Sequence, residues 1–440
     1  MTALLQYPFR GRRASELAGR VEAAVRQGRL VPGAALPSVR ALSAQLGISP
    51  ATVAAAYRLL AARGLCSGQG RRGTRVTQRP PLRLPSPVPV PAGLRDVASG
   101  NPDVSLLPRL PLRVVDASPR PYGGERVRAD LLALGRALLG ADGVSTDALT
   151  VVGGALDGIE RVLQAHLRPG DRVAVEDPGY TGVLDLVSGL GLVPEGVGLD
   201  ASGPRPEALA SVLKRGVQAV IVTPRAQNPT GAALDPRRAR ELRAVLDRHP
   251  AVLLVEDDHA GPVAGSKAVT LTHQKRERWA VARSVSKSLG PDLRLAFLAG
   301  DTVTIARVEG RQHVGSGWVS HVLQQLVVAL LEDLKVAQRL EQADGAYAAR
   351  REALIAALGA HGIAAQGRSG LNVWIPVPEE QSVVAGMAAA GWAVRAGERY
   401  RLRTPPAVRI TTASLKPSEA RGLAKDLARV LRGTSSTRSV

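Results

Sequence analysis

Twelve residues, PPLRLPSPVPVP at positions 80–91, hold six prolines. Each proline lacks an amide donor and fixes φ, so a stretch this dense fits neither a helix interior nor a sheet centre. It reads as an extended, semi-rigid spacer, and it forces the chain to fold as separate units on either side. The expected division is a first domain at 1–79, a linker at 80–95 and a second domain at 96–432 whose smaller C-terminal part starts near 340. The polar end, 433–440, reads as a flexible tail. A length of 440 residues accommodates two or three compact units, the larger with a substantial core.

Charge differs sharply across the spacer. Residues 1–79 contain 13 arginines, no lysine and two acids, Glu16 and Glu22, for +11 of the chain's net +20. The other 361 residues share +9. A dense basic unit ahead of an ordinary one points to a polyanion partner, most simply nucleic acid; a chain-wide preference for arginine over lysine is the compositional alternative. The single cysteine, Cys66, excludes an internal disulfide and fits a reducing compartment. No apolar run is long enough for a membrane span, and the opening MTALLQYPFRGRR lacks the apolar core of a secretory leader. The expected location is cytoplasmic.

In the first region Leu17, Val21, Ala24 and Val25 follow helical spacing up to Gly28. Ser38 is placed to cap a short helix carrying Leu42 and Leu46 and closed by Gly47. Ser49 caps a third, with Pro50 in its first position and Val53, Tyr57 and Leu60 facing inward. Two extended pieces, LCS and TRV, flank the turn GQGRRG. Helices joined by LGIS at 46–49 give a helix-turn-helix layout with 50–63 as the reading helix. Ser49, Ala51 and Thr52 lie at its N-terminal end, nearest to base edges. Arg71, Arg72 and Arg75 lie on a hairpin placed to grip phosphates or enter the minor groove.

The second region has another rhythm. Strand-like runs VAVE (173–176), AVIV (219–222), VLLVE (252–256), WAVAR (279–283) and LAFLAG (295–300) alternate with helical stretches. That alternation predicts an α/β unit with a mainly parallel sheet covered on both faces. Beyond about residue 340, the runs VWIPV (373–377), WAVRAG (392–397) and VRITT (408–412), with a last helix near 417–432, predict a smaller α+β part.

Chemistry-bearing residues follow these strands. Lys287 lies in SVSKSLGPDLR with Ser284, Ser286 and Arg294 around it. Hydroxyls and a planar guanidinium suit a phosphate dianion, and a lysine near cations can have a lowered pKa. Asp257 follows the apolar run VLLVE at a strand's carboxyl end, where open α/β sheets bind ligands. Asn228 in QNPTG offers an amide, and Tyr180 in EDPGY offers a stacking face. Gly153-Gly154-Ala155 opens a helix whose free N–H groups favour phosphate. Singly these are ordinary residues, a solvated lysine, a turn, a cap. Together they are the set that pyridoxal phosphate requires: an amine for its aldehyde, an acid at the ring nitrogen, a donor for the ring oxygen, a stacking surface and a phosphate cup.

Longer stretches carry a family resemblance. GRLVPGAALPSVRALSAQLGISPATVAAAYRLLAARGL, followed by GRRGTRV, resembles the GntR-type winged helix along nearly its whole length. The resemblance implies DNA contacts at Pro37, Ser38, Arg40 and Thr52, with wing glycines Gly70 and Gly73. GGAL, EDPGY, QNPTG, EDDH and SVSK…R follow in the order of fold-type I aminotransferases, over roughly 96–432. The combination resembles the MocR subgroup of GntR regulators, a winged helix-turn-helix joined to a class I/II aminotransferase-like domain. It implies an internal aldimine at Lys287, Asp257 on the pyridine nitrogen, Asn228 on the ring oxygen and Tyr180 over the ring. It further implies that Ser284, Ser286, Arg294 and the amides of Gly154 and Ala155 hold the phosphate, and that Arg409 clamps a substrate α-carboxylate. Two positions depart from the family pattern. His259 stands where tyrosine is common, making a contact to the ring oxygen depend on pH. Gly153 and Leu156 replace the usual Ser/Thr and Gln, shifting the cup toward backbone amides and Arg294.

The expected function is therefore DNA-binding transcription regulation, with pyridoxal phosphate or its adduct with an amino acid or amine as effector. A homodimer on a double-stranded operator is implied by the resemblance, with no metal and no membrane. Two alternatives remain open at this point: an active aminotransferase that carries a DNA-binding module, and a cofactor-free dimerisation scaffold.

Overall fold

The computed structural model describes residues 14–26, 29–31, 33–62, 65–68, 73–76, 90–116 and 118–436. They divide into two compact units, one N-terminal and one made by most residues from 90 onward.

The N-terminal unit holds α1 (Ala14–Arg26), α2 (Val39–Leu46), α3 (Pro50–Ala62), β1 (Cys66–Gly68) and β2 (Thr74–Val76). Ser38 Oγ accepts the Ala41 N–H at 3.1 Å and starts α2, which Gly47 ends in the left-handed region at φ +61°. Ser49 Oγ accepts the Thr52 N–H at 3.1 Å and starts α3, with Pro50 in its first position. Leu17, Val21, Leu42, Val53, Ala56, Tyr57 and Leu60 close one core. Tyr57 Oη donates to Pro37 O at 2.8 Å, fixing α3 against the start of α2. β1 and β2 pair antiparallel, and Gly33 and Leu36 donate to Val76 O and Thr74 O at 2.8 Å, adding a third extended piece.

The larger unit begins with β3 (Arg95–Asp96), α4 (Ala129–Ala141), β4 (Ala148–Val152), α5 (Ala155–His166), β5 (Arg172–Asp177) and α6 (Thr181–Gly189). Then come β6 (Val193–Asp200), β7 (Gly203–Pro204), α7 (Pro206–Leu213), β8 (Ala219–Val222), α8 (Pro236–Leu246), β9 (Leu253–Asp258), β10 (Trp279–Ser284), β11 (Ala296–Gly300), α9 (Thr302–Val314) and α10 (His321–Glu332). Its main sheet has the order β4-β11-β10-β9-β8-β5-β6-β7. The pairs β5–β8, β8–β9 and β9–β10 are parallel, while β11 is antiparallel to both β10 and β4. The run LAFLAG is thus antiparallel to its neighbours, as β7 is to β6 at the other end of the sheet. Residues 285–295 are too short a connection for a helical crossover, so the chain turns back beside β10. β8 and β9 are buried along their whole length, as strands covered on both faces must be.

The C-terminal part holds α11 (Leu334–Gly359), β12 (Asn372–Pro376), α12 (Glu380–Ala389), β13 (Trp392–Ala393), β14 (Arg395–Ala396), β15 (Ala407–Thr411) and α13 (Pro417–Ser436). β12, β15 and β14 form an antiparallel sheet. WAVRAG is not one strand: β13 pairs with β3, and β14 with β15, so the chain changes partner at Val394. Arg95, read as linker from its neighbours' prolines, belongs to β3 and is held by Glu419 at 2.9 Å. α13 runs to Ser436, into the segment read as tail. Strands β4 and β6 were not anticipated from sequence; β6 contains Pro194 and two glycines, which mask its alternation. Among the described residues, no helix is long and apolar enough to cross a membrane.

Helix α4 packs on the sheet through a glycine. A Cβ at Gly135 would meet the Phe297 ring at 2.6 Å and Leu149 at 3.1 Å. Gly135→Val is expected to lower the unfolding free energy by about 2 kcal/mol through overpacking, read as an earlier midpoint in urea denaturation.

Candidate functional site

The carboxyl ends of β4, β5, β8, β9 and β10 open toward one side of the main sheet, and the loops leaving them carry the candidate residues. Gly153 and Gly154 leave β4, Tyr180 leaves β5, Asn228 leaves β8, Asp257 ends β9, and Ser284 to Lys287 leave β10. β15 of the C-terminal part contributes Arg409.

Lys287 Nζ donates to Gly100 O at 2.7 Å. Burial, and then the Arg409 charge, bring its pKa down to about 8. Arg409 is 3% exposed and has no carboxylate within ion-pair distance among the described residues. Its Nη1 donates to Asn228 Oδ1 at 3.1 Å, its Nη2 donates to Ala98 O, its Nε has no partner, and its guanidinium lies 5.1 Å from the Tyr400 ring centre. Asn228 thereby keeps its amide nitrogen for another acceptor. Gly100 sits at φ +75°, and a Cβ there would come 3.1 Å from Arg409 Nη2, so this close approach needs glycine.

Asp257 is buried and its Oδ1 has no hydrogen-bond partner. Burial raises its pKa to about 7, helped by the charges of Asp258 and Glu176. A buried carboxyl oxygen without a donor is expensive, and a cationic N–H placed against it would remove the penalty. His259 is pushed down to about 4 by burial and by Lys287, so it is neutral at neutral pH. The pH dependence anticipated for that position lies well below the physiological range. Burial also raises the Tyr180 phenol.

The glycine turn after β4 differs in detail from expectation. Gly154, at φ +106°, leads into α5, and a Cβ there would meet Arg294 Nη2 at 3.0 Å. Its N–H, however, is already given to Val152 O at 2.8 Å, and that of Gly153 to Asp157 Oδ2 at 2.9 Å. The open amides of this helix start are those after Gly154, from Ala155 onward. Arg294 donates to Gly153 O at 3.3 Å and is exposed with no ion pair among the described residues. Ser284 Oγ accepts the Ser286 N–H at 3.1 Å, which leaves the Ser284 proton free to donate.

In the N-terminal unit Ser38 and Ser49 spend their side chains as helix caps, and Thr52 Oγ1 lies 2.9 Å from Ser49 Oγ. Arg40 is exposed on α2. Arg75 is exposed too, but its Nη1 donates to Gly33 O at 2.8 Å, so part of its guanidinium braces the hairpin. Arg71 and Arg72, with Gly70, lie outside the described residues; Gly73 sits at φ +80°.

Comparison with known proteins matches each unit. Residues 13–76 match the bacterial regulatory proteins of the gntR family, and residues 135–427 match aminotransferase class I and II. The vitamin B6 salvage pathway transcriptional repressor PtsJ of Salmonella typhimurium is 40% identical over 431 residues, 96% of this chain and 99% of that protein. The chain belongs to the MocR-type GntR regulators. The pyridoxine biosynthesis regulator PdxR of Corynebacterium glutamicum is 34% identical over 56% of either chain. Among solved structures, Pyrococcus horikoshii kynurenine aminotransferase superposes with a TM-score of 0.71 at 20% identity, over 78% of this chain and 92% of its own. That likeness is one of fold.

Three positions in the regulator escaped the sequence reading. Asp258 accepts from Arg225 at 2.9 and 3.0 Å and from Arg283 at 2.7 Å, and Arg283 also reaches Asp142 at 2.6 Å. Burial alone would raise the Asp258 carboxyl, yet the two guanidinium groups hold it at about 2. Gln227 Nε2 donates to Glu176 Oε2 at 3.0 Å and to Pro178 O at 2.9 Å, so the Tyr180 and Asn228 loops share one brace. Asp177 accepts the Leu402 and Arg403 N–H groups at 2.9 and 2.8 Å, tying the Tyr180 loop to the strand connection that precedes Arg409. The only signals for these were the glutamine that opens QNPTG and the acids in EDPGY and EDDH, where period-two alternation turns neighbours to opposite faces.

A lowered pKa makes Lys287 nucleophilic earlier. Its neutral fraction grows as pH rises, so acylation of Lys287 in the ligand-free regulator should be half-maximal near pH 8 and level off above it. A peptide-mapped rate still climbing toward the ordinary lysine value near ~10.4 would show an unshifted amine.

Proposed function

We propose that the regulator holds pyridoxal phosphate in its aminotransferase-like unit and that occupancy, with or without an amino compound, adjusts DNA binding by its N-terminal unit. The observation that carries this reading is the unpartnered Oδ1 of Asp257, buried on the same sheet end as Lys287. An N–H cation, an amine-reactive group and a phosphate answer to Asp257, Lys287 and the Arg294 cluster in turn. One molecule of the B6 type combines all three.

When bound, the cofactor supplies an aldehyde carbon that takes up an amine and a ring that withdraws electrons. The chain's own residues do the rest. Lys287, with its pKa near 8, offers a neutral amine at modest pH. Asp257 accepts the ring N–H and in doing so regains a favourable charged form. Asn228 would donate its amide to the ring oxygen, and His259, neutral at this pH, would add no charge there. Tyr180 covers the ring face. Arg294, the hydroxyls of Ser284 and Ser286, and the Ala155 amide take the phosphate, where a helix start favours an anion. Arg409, a buried cation lacking an acid, suits the carboxylate of an amino acid.

Signalling follows from what these groups touch now. Lys287 and Arg409 both donate to main-chain carbonyls of one short segment, at Gly100 and Ala98. A ligand on either side chain competes with that segment, which leads along the chain to the proline spacer. Occupancy shifts the equilibrium only by the difference it makes to those contacts.

A homodimer is part of the proposal, because exposed apolar side chains at Val104 (80%), Leu112 (67%), Tyr122 (91%) and Leu334 (78%) ask for cover. Light scattering of the full chain should return twice the monomer mass; a monomer at working concentration would remove that part.

Two variants separate the functions. Lys287→Ala should lose the near-visible, borohydride-sensitive absorption of the wild type with pyridoxal phosphate, and its DNA affinity should no longer respond to the cofactor. Arg40→Ala should keep that absorption and bind operator about tenfold more weakly. Absence of the band in wild type would leave a cofactor-free scaffold as the better reading.

A further inference from the structure

The face that α3 turns outward is almost without polar groups. Val53, Ala56, Tyr57 and Leu60 point into the core, so helical geometry places Ala51, Ala55 and Arg58 on the opposite side, with Ala54 at its flank. Ala51 and Arg58 are exposed, and Ala54 and Ala55 half-exposed. The uncharged polar side chains of α3 are few and already engaged. Thr52 Oγ1 sits 2.9 Å from the capping Ser49 Oγ, and Tyr57 Oη donates to Pro37 O. No Asn, Gln, Asp, Glu or Lys occurs in α3, and Arg58 is its single charged residue.

In a helix-turn-helix the reading helix enters the major groove N-terminal end first. Adenine is read there by Asn or Gln and cytosine by an acid, and α3 has neither. Alanine methyls have one good partner on base edges, the 5-methyl group of thymine. Their small size also lets the helix backbone approach the groove floor.

We propose that the regulator recognises its operator chiefly through thymine methyl groups packed against Ala51, Ala54 and Ala55, with Arg58 as the one hydrogen-bond donor on that face. The partner is a duplex whose half-sites carry clustered thymines under the first two turns of α3. The inference rests on the DNA-binding reading of the N-terminal unit and narrows its chemistry. Phosphate contacts from Arg40 and the hairpin would set register and affinity.

Operators are to be selected from random duplexes with the full chain and pyridoxal phosphate, then remade with deoxyuridine in place of single thymines. Each methyl removed beneath α3 should weaken binding about fourfold, the value of one buried methyl-sized group. The factor should be alike at low and high salt, although total affinity falls steeply as salt rises. Thymines outside the protected region should be insensitive. Selected half-sites without thymine, or thymines whose replacement changes nothing, overturn the inference while leaving sequence-specific binding in place. Failure to select any sequence overturns the DNA-binding reading, and this inference with it.

Discussion

Asp258 carries two guanidinium groups inside the larger unit, and the geometry of the site depends on that arrangement. The acid ends β9, Arg283 lies in β10, Arg225 follows β8, and Asp142 caps α4. Asp258, Arg225 and Arg283 are buried and Asp142 half-buried, so the three inner charges would be strongly unfavourable alone. Paired two against two, they fix three strand ends relative to one another, and removing one member of such a set typically costs about 3–5 kcal/mol. Asp257 is the next residue to Asp258, Ser284 to Arg283, and Asn228 follows Arg225 by three. The network holds in register the loops from which the candidate ligand-binding side chains extend.

Other polar groups near this sheet end are left short of partners. Asp257 Oδ1 lacks a donor, and Arg409 lacks an acid among the described residues. Folded proteins rarely tolerate that at buried positions. Here the shortfall sits at the carboxyl ends of a parallel sheet, where ligands of such folds bind. Neutral carbonyls of Ala98 and Gly100 stand in for the missing charge. They satisfy geometry without matching the electrostatics, which leaves a gain for any ligand that does both.

Much of this was legible in the sequence because it rests on local rules. Ser38 and Ser49 cap helices as their positions foretold, and the β-runs at 173, 219, 252 and 279 are strands. The mainly parallel sheet and the winged helix followed from periodicity and turn residues. What stayed hidden was non-local. That Asp258 rather than Asp257 meets arginines depends on which face of β9 each occupies, and two adjacent acids look alike in one dimension. The split of WAVRAG at Val394 depends on β3, nearly 300 residues earlier in the chain. The engagement of the Gly154 amide with Val152 O is a turn detail that the motif GGAL does not encode.

In α3 the residues that hold the fold and the residues that face outward are separate sets. Val53, Ala56, Tyr57 and Leu60 pack inward, while Ala51, Ala55 and Arg58 make no core contact. Substitution on the outer set leaves the stability of the unit nearly untouched. A duplicated copy of such a gene could drift to a new set of target promoters by one or two changes there. Under the proposed function, its unaltered aminotransferase-like unit would go on answering the same small molecule, so that new genes come under an old signal.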